Sequence, residues 1–124
     1  MAAGVATLRR LLADDGAAYR RLDQLGARLE QGIAAAFEER SLPFSVVRVG
    51  SILWLVLQEG PAPRQVEAIT DEAATRFASL HQALLTEGVY LAPSTYEMTF
   101  VSTAHDEAAL DATAEAFTRA VAVL

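Results

Sequence analysis

The chain has 124 residues, 52% of them hydrophobic and 21% charged, which suits one domain with a real core and is too apolar for a disordered segment. Its formal charge is −6 and its pI near 4.8, which argues against a nucleic-acid partner because phosphate binding needs clustered Lys and Arg. There is no cysteine, which excludes disulfides and thiolate metal sites, and the longest apolar run, Ile52–Leu57, is far short of the ~20 residues of a membrane-spanning helix.

Val5, Leu8 and Leu12 recur at helical spacing, so Ala2–Ala13 reads as a short amphipathic helix. Arg9 and Arg10 lie late in it, unlike the charge order of a secretory signal, and a cytoplasmic location is the default expectation. Asp14, Asp15 and Gly16 break that helix. A second runs from about Ala17 to Arg40 on a stripe of Leu22, Leu25, Leu29, Ile33 and Phe37. Gly26 and Gly32 interrupt it at about 1 kcal/mol each relative to Ala, and close approach to another element or plain surface tolerance would each account for them.

Pro43 ends the helical region. Phe44–Val49 reads as a strand, Gly50-Ser51 as a two-residue turn and Ile52–Gln58 as a central strand, apolar on both faces and buried on both. A loop over Gly60–Pro63 leads through chain that is irregular or weakly helical as far as Ala68 to a third helix capped by Thr70 or Asp71. Ala73, Phe77, Leu80 and Leu84 form its inner face, and Gly88 closes it. Val89–Leu91 and Thr99–Ser102 read as short strands around a loop at Ala92-Pro93-Ser94. Asp106 caps a last helix carrying Leu110, Ala114, Phe117 and Val121. The order predicts an α+β two-layer domain over residues 1–124, with a three- or four-stranded antiparallel sheet covered by helices.

Candidate chemistry is sparse. All ten basic residues are Arg, and without lysine the chain has no side-chain amine for Schiff-base catalysis. Absence of Asn beside so much Ala and Arg points to genomic base composition as one cause of that bias. His81 and His105 lack a carboxylate or second histidine at metal-ligand spacing and read as structural. Ser51, Ser94 and Ser102 have no G-x-S-x-G frame, and no glycine motif cradles a phosphate. Glu38, Glu39, Asp71, Glu72, Asp111 and Glu115 read as solvated helix faces or caps. The segment Tyr90–Glu97 is more unusual, because Pro93 stiffens it while Ser94, Thr95, Tyr96 and Glu97 crowd polar groups between apolar strands. Its carboxylate is either a satisfied structural acceptor or part of a site.

The same segment carries a resemblance. Gly88-Val89-Tyr90-Leu91-Ala92-Pro93-Ser94, Tyr96-Glu97, Phe100-Val101-Ser102 and Ala104-His105 together resemble the C-terminal signature of the glutamate-1-semialdehyde aminomutases, relatives of the class III aminotransferases. Leu25-Gly26-Ala27-Arg28-Leu29, Arg48-Val49-Gly50-Ser51, and Phe77, His81 and Leu84 extend it upstream. Met1–Leu8 resembles the helix leading from that family's large domain into its small one. The resemblance implies a small C-terminal domain like that of pyridoxal-phosphate aminotransferases, with 1–13 as an inter-domain helix and 17–124 as the domain body. It further implies that pyridoxal phosphate, its lysine and its phosphate-binding residues belong to a large domain outside this chain. The intact family enzyme converts glutamate-1-semialdehyde to 5-aminolevulinate, the tetrapyrrole precursor.

By that resemblance Glu97 is the catalytic candidate, a negative charge near cofactor and substrate, and Ser94 is substrate-proximal. Tyr96 in place of Phe, Met98-Thr99 in place of a small pair, Leu80 in place of Phe and the bulky Trp54 depart from the family pattern. Three readings follow. The chain is the small domain of an aminomutase-like enzyme, inactive alone and cofactor-free, completed by a large cofactor-bearing domain in trans. Or it is a standalone non-catalytic α+β binding module, or a subunit of a split aminotransferase. Or it self-assembles, as a homodimer, through Val5, Leu8, Leu11 and Leu12.

Overall fold

A computed structural model describes all of residues 1–124. Helix α1 spans Ala2–Glu39 but is broken at the Asp-Asp-Gly signal: Ala13 turns to ψ 156°, and Asp14, Asp15 and Gly16 take positive φ of 52°, 54° and 71°. Asp and Gly are among the residues that tolerate this left-handed region. The Arg20 guanidinium holds the break by donating to the carbonyls of Asp14, at 3.1 Å, and Asp15. N-terminal to it the helix is an arm that leaves Val5, Leu8 and Leu12 exposed, while C-terminal to it Leu25, Leu29, Ile33 and Phe37 are buried.

Strands β1 (Ser45–Val49) and β2 (Ile52–Val56) form a hairpin whose Val49↔Ile52 pairing leaves Gly50 and Ser51 as the two turn residues. Helix α2 (Asp71–Thr86) starts where Thr70 Oγ1 accepts from the Ala73 N–H, and it buries Ala73, Phe77, Leu80 and Leu84. The short strand β3 (Thr99–Phe100) pairs antiparallel with β2, so the sheet order is β1-β2-β3. Helix α3 (Glu107–Ala120), capped by Asp106 on the Ala109 N–H, lies along α1 and buries Leu110 and Phe117.

The result is the expected α+β domain, with three antiparallel strands and helices on one face. Leu53, Leu55 and Leu57 of β2 and its extension enter the core with Phe37, Leu80, Leu84 and Phe117. Two expectations fail. Val89–Leu91 is not a strand: Val89 N–H turns back to the Leu84 carbonyl at 2.8 Å behind Gly88 (φ +82°), and the segment pairs with none of the three strands. The central strand is also not buried on both faces along its length. Helices cover the Leu53 and Leu55 side, whereas Ile52 and Trp54 stay half-buried on the other. Val47, Val49, Ile52, Trp54 and Met98 line an open apolar concavity of about 290 Å³ on that second face.

The glycines explain how closely α1 sits on the hairpin. A Cβ built on Gly26 would lie 2.2 Å from the Gly50 carbonyl oxygen, so this position permits backbone to pack on backbone. One on Gly32 would lie 2.5 Å from the Ala114 Cβ of α3. Close approach, not surface tolerance, is therefore the role of both.

Candidate functional site

The two histidines hold the site's surroundings together. His81 is buried on α2, with Nε2 3.2 Å from the Leu91 carbonyl and its ring edge-on to Tyr90, centroids 6.1 Å apart. That pairing satisfies a buried ring and fixes the chain as it leaves Gly88. His105 is exposed. Its Nδ1 accepts from the Ser102 N–H at 3.0 Å, closing the turn into α3. No group of three His, Cys, Asp or Glu is arranged to hold a metal ion.

Between these two anchors runs the Ala92–Met98 loop. Ser94 to Glu97 form one tight turn, in which the Glu97 N–H donates to the Ser94 carbonyl at 3.0 Å and the Tyr96 N–H to Ser94 Oγ at 3.2 Å. Ser94 is thus half-buried and engaged in shaping the loop, and Glu97 projects an exposed carboxylate. The structure brings the two predicted site residues together across a single turn, three residues apart. Thr95 points the other way and is only 2% exposed, its hydroxyl without a hydrogen-bond partner.

Strand pairing places the loop relative to the open sheet face. Val47 stands opposite Trp54, and Ile52 opposite both Val49 and Phe100, so these side chains share one side of the sheet. Met98 joins them at the concavity, next in sequence to Glu97. A charged turn therefore stands at the rim of an apolar surface, where Val49 and Phe100 are 73% and 66% exposed.

Trp54 is the residue that sequence reading did not assign to the site. It lies at the centre of the open face, and its indole Nε1–H donates to the Thr95 carbonyl at 2.7 Å. The signal was available: a lone Trp in an otherwise aliphatic strand carries a donor that needs a partner when it leaves water.

Ion pairs elsewhere serve architecture. Arg48 of β1 donates to Glu30 at 2.6 Å, Asp23 at 2.7 Å and the Gly50 carbonyl at 2.8 Å, tying the hairpin turn to α1. Asp23 and Glu30 raise the Arg48 pKa above the ordinary guanidinium value by hydrogen bonding to its charged form. Asp111, expected as a solvated helix face, is exposed but paired in a fork with Arg28 at 2.6 and 2.7 Å. Those hydrogen bonds hold its carboxyl below the ordinary value.

No family model matches the chain. It is 42% identical over 122 residues to the glutamate-1-semialdehyde 2,1-aminomutase of Deinococcus radiodurans, a match covering 97% of this chain and 27% of that protein. In fold it superposes on an omega-transaminase from Sphaerobacter thermophilus with a TM-score of 0.84 and 25% identity, over 97% of this chain and 26% of that one. A glutamate-1-semialdehyde aminomutase from Pseudomonas aeruginosa PAO1, solved in complex with PMP, gives a TM-score of 0.74 at 29% identity, over 94% and 26%. The chain spans about a quarter of the length of the relatives it matches. In sequence and in fold it resembles the C-terminal small domain of these pyridoxal-phosphate enzymes, and the resemblance first visible in the Leu91–His105 block runs the whole length of the chain.

Proposed function

We propose that this chain acts as the small domain of a glutamate-1-semialdehyde 2,1-aminomutase-like enzyme, with Glu97 as its contribution to the reaction centre. One observation carries the reading: the family-like segment folds into a tight turn that presents Glu97 beside a broad apolar sheet face. Such a face is what a domain leaves uncovered when a second domain completes it.

The chain does not supply the cofactor's anchoring groups. It has no lysine amine and no glycine-rich phosphate cradle, so pyridoxal phosphate would be held by a large domain, in cis or in trans. When bound there, the cofactor supplies the electron sink for moving an amino group between neighbouring carbons. The contribution of this chain is electrostatic. A fixed carboxylate at Glu97 favours ammonium groups nearby and gives no purchase to a substrate carboxylate, while Ser94 shapes the turn that aims it. The isolated chain is accordingly inactive, the arm before the Ala13–Gly16 break is the inter-domain helix, and the compartment is the cytoplasm. No helix is long and apolar enough to cross a membrane.

The test is complementation. The chain is coexpressed with a lysine-bearing large domain and assayed for aminolevulinate formation. Glu97→Gln should lower turnover by about 100- to 1000-fold, as expected for loss of a preorganised electrostatic group, with the melting temperature unchanged. Unaltered turnover in a well-folded variant removes Glu97 from the mechanism.

Self-association is the second reading, favoured by the exposure of Val5, Leu8 and Leu12 together with the apolar sheet face. It predicts a homodimer by size-exclusion chromatography with light scattering, and a monomer at high concentration would sink it.

A further inference from the structure

The geometry points to Trp54 as the positioning residue for the Glu97 turn, an inference that rests on the role proposed for Glu97. Trp54 stands where this chain departs from the family pattern, on the open face of the central strand. Its indole divides the apolar concavity at Val47, Val49, Ile52 and Met98 from a second one, of about 170 Å³, where it meets Tyr96 and the segment Pro63–Ile69.

The turn has few other restraints. Residues 92–98 form no strand, and their internal hydrogen bonds tie Tyr96 and Glu97 only to Ser94, so they shape the turn without attaching it to the domain. Besides the side chains of Tyr96 and Met98 at the two concavities, the turn is attached by two contacts at Thr95. Its side chain is buried, and its carbonyl receives the Trp54 Nε1–H at 2.7 Å. The buried Thr95 side chain resists withdrawal. The indole N–H is directional and sets the rotation of the peptide plane immediately before Tyr96 and Glu97. A carboxylate two residues from that plane is aimed by it, and productive geometry at a reaction centre is a matter of fractions of an ångström. Trp54 touches no reacting atom in this account; it acts through the loop.

Trp54 is the only tryptophan, so its indole N–H gives a single assignable proton resonance in the unmodified chain. That resonance should exchange slowly with solvent and show a small temperature coefficient; rapid exchange overturns the anchor. In Trp54→Phe, which keeps an aromatic ring and removes the donor, amide hydrogen exchange over Thr95–Met98 should rise about five- to tenfold, as loss of one ordinary hydrogen bond allows. Exchange in β2 and α2 should stay as in the parent. A rise spread evenly over β2, α2 and the loop, or none in the loop, refutes positioning.

In the complemented enzyme, Trp54→Phe should lower kcat with KM nearly unchanged, and Trp54→Phe/Glu97→Gln should lose no more than Glu97→Gln alone. Additive losses refute action through Glu97. If Glu97→Gln is itself without effect, the proposed role of Glu97 fails while the indole and exchange measurements still decide whether Trp54 holds the turn.

Discussion

Replacing Gly26 by Ala isolates the contact that seats α1 on the hairpin. The new Cβ would lie 2.2 Å from the Gly50 carbonyl oxygen and 3.2 Å from both Gly50 C and Ser51 Cα. All three are backbone atoms, so no side chain can swing aside. Relief requires helix and turn to separate by about 1 Å to reach ordinary contact, at a cost of about 1–3 kcal/mol for overpacking. The same carbonyl accepts from Arg48 at 2.8 Å, so moving it also loosens the group that ties β1 to Asp23 and Glu30. Loss of that hydrogen bond to a charged donor adds roughly 1–2 kcal/mol. Against this, Ala gains about 1 kcal/mol of helix propensity over Gly.

The net expectation is destabilisation of about 1–4 kcal/mol, or a fall of roughly 4–16 °C in melting temperature for a domain of this size. Thermal and urea unfolding followed by circular dichroism measure it. Gly4→Ala is the matched control, since a Cβ there meets nothing within 4 Å and the change should be neutral or slightly stabilising. A Gly26→Ala protein as stable as the parent would refute the argument, because it would mean that helix and turn are not in backbone contact.

Two further predictions follow from the hydrogen-bond record. Thr95→Val removes a buried hydroxyl that has no partner while keeping the carbonyl used by Trp54, and should raise stability by about 1 kcal/mol in urea unfolding; a loss would reveal an acceptor or donor that the hydroxyl serves. Asp111→Asn tests the Arg28 fork. The folded-state pKa of Asp111 lies below its ordinary 3.8, so its contribution is present above that value and is lost as pH falls through the folded one. The stability gap between parent and variant should therefore be constant from about pH 7 to 5, narrow below about pH 4 and close in stronger acid. A gap that persists undiminished in strong acid would assign it to something other than the carboxylate charge.

Much of this architecture is written in local patterns. The Asp14-Asp15-Gly16 break, the caps at Thr70 and Asp106, the hairpin turn at Gly50-Ser51 and the inner faces of all three helices depend on residues within a few positions of one another. Backbone sterics and side-chain periodicity decide them without reference to the rest of the molecule. The family-like block from Leu91 to His105 was legible for a similar reason, being contiguous.

What the chain pattern could not decide were contacts between distant residues. Val89–Leu91 has strand-like composition, but its backbone groups are taken by partners on α2: the Val89 N–H turns back to the Leu84 carbonyl behind Gly88, and the Leu91 carbonyl faces the His81 ring. Ile52 and Trp54 are apolar enough for burial on both faces, yet how much of each face is covered depends on where the helices and the Pro63–Ile69 segment come to rest. Gly26 could be read as tolerance or as close approach, and only the 2.2 Å separation from Gly50 distinguishes them. The 41-residue separation between Trp54 and Thr95 hides the anchor of the Glu97 turn in the same way. Sequence by itself determined which segments are helix, turn and inner face, because those choices are settled within a few residues. Only the tertiary structure decided which face stays open and what holds Glu97 at its rim, because packing brings together groups that the chain keeps far apart.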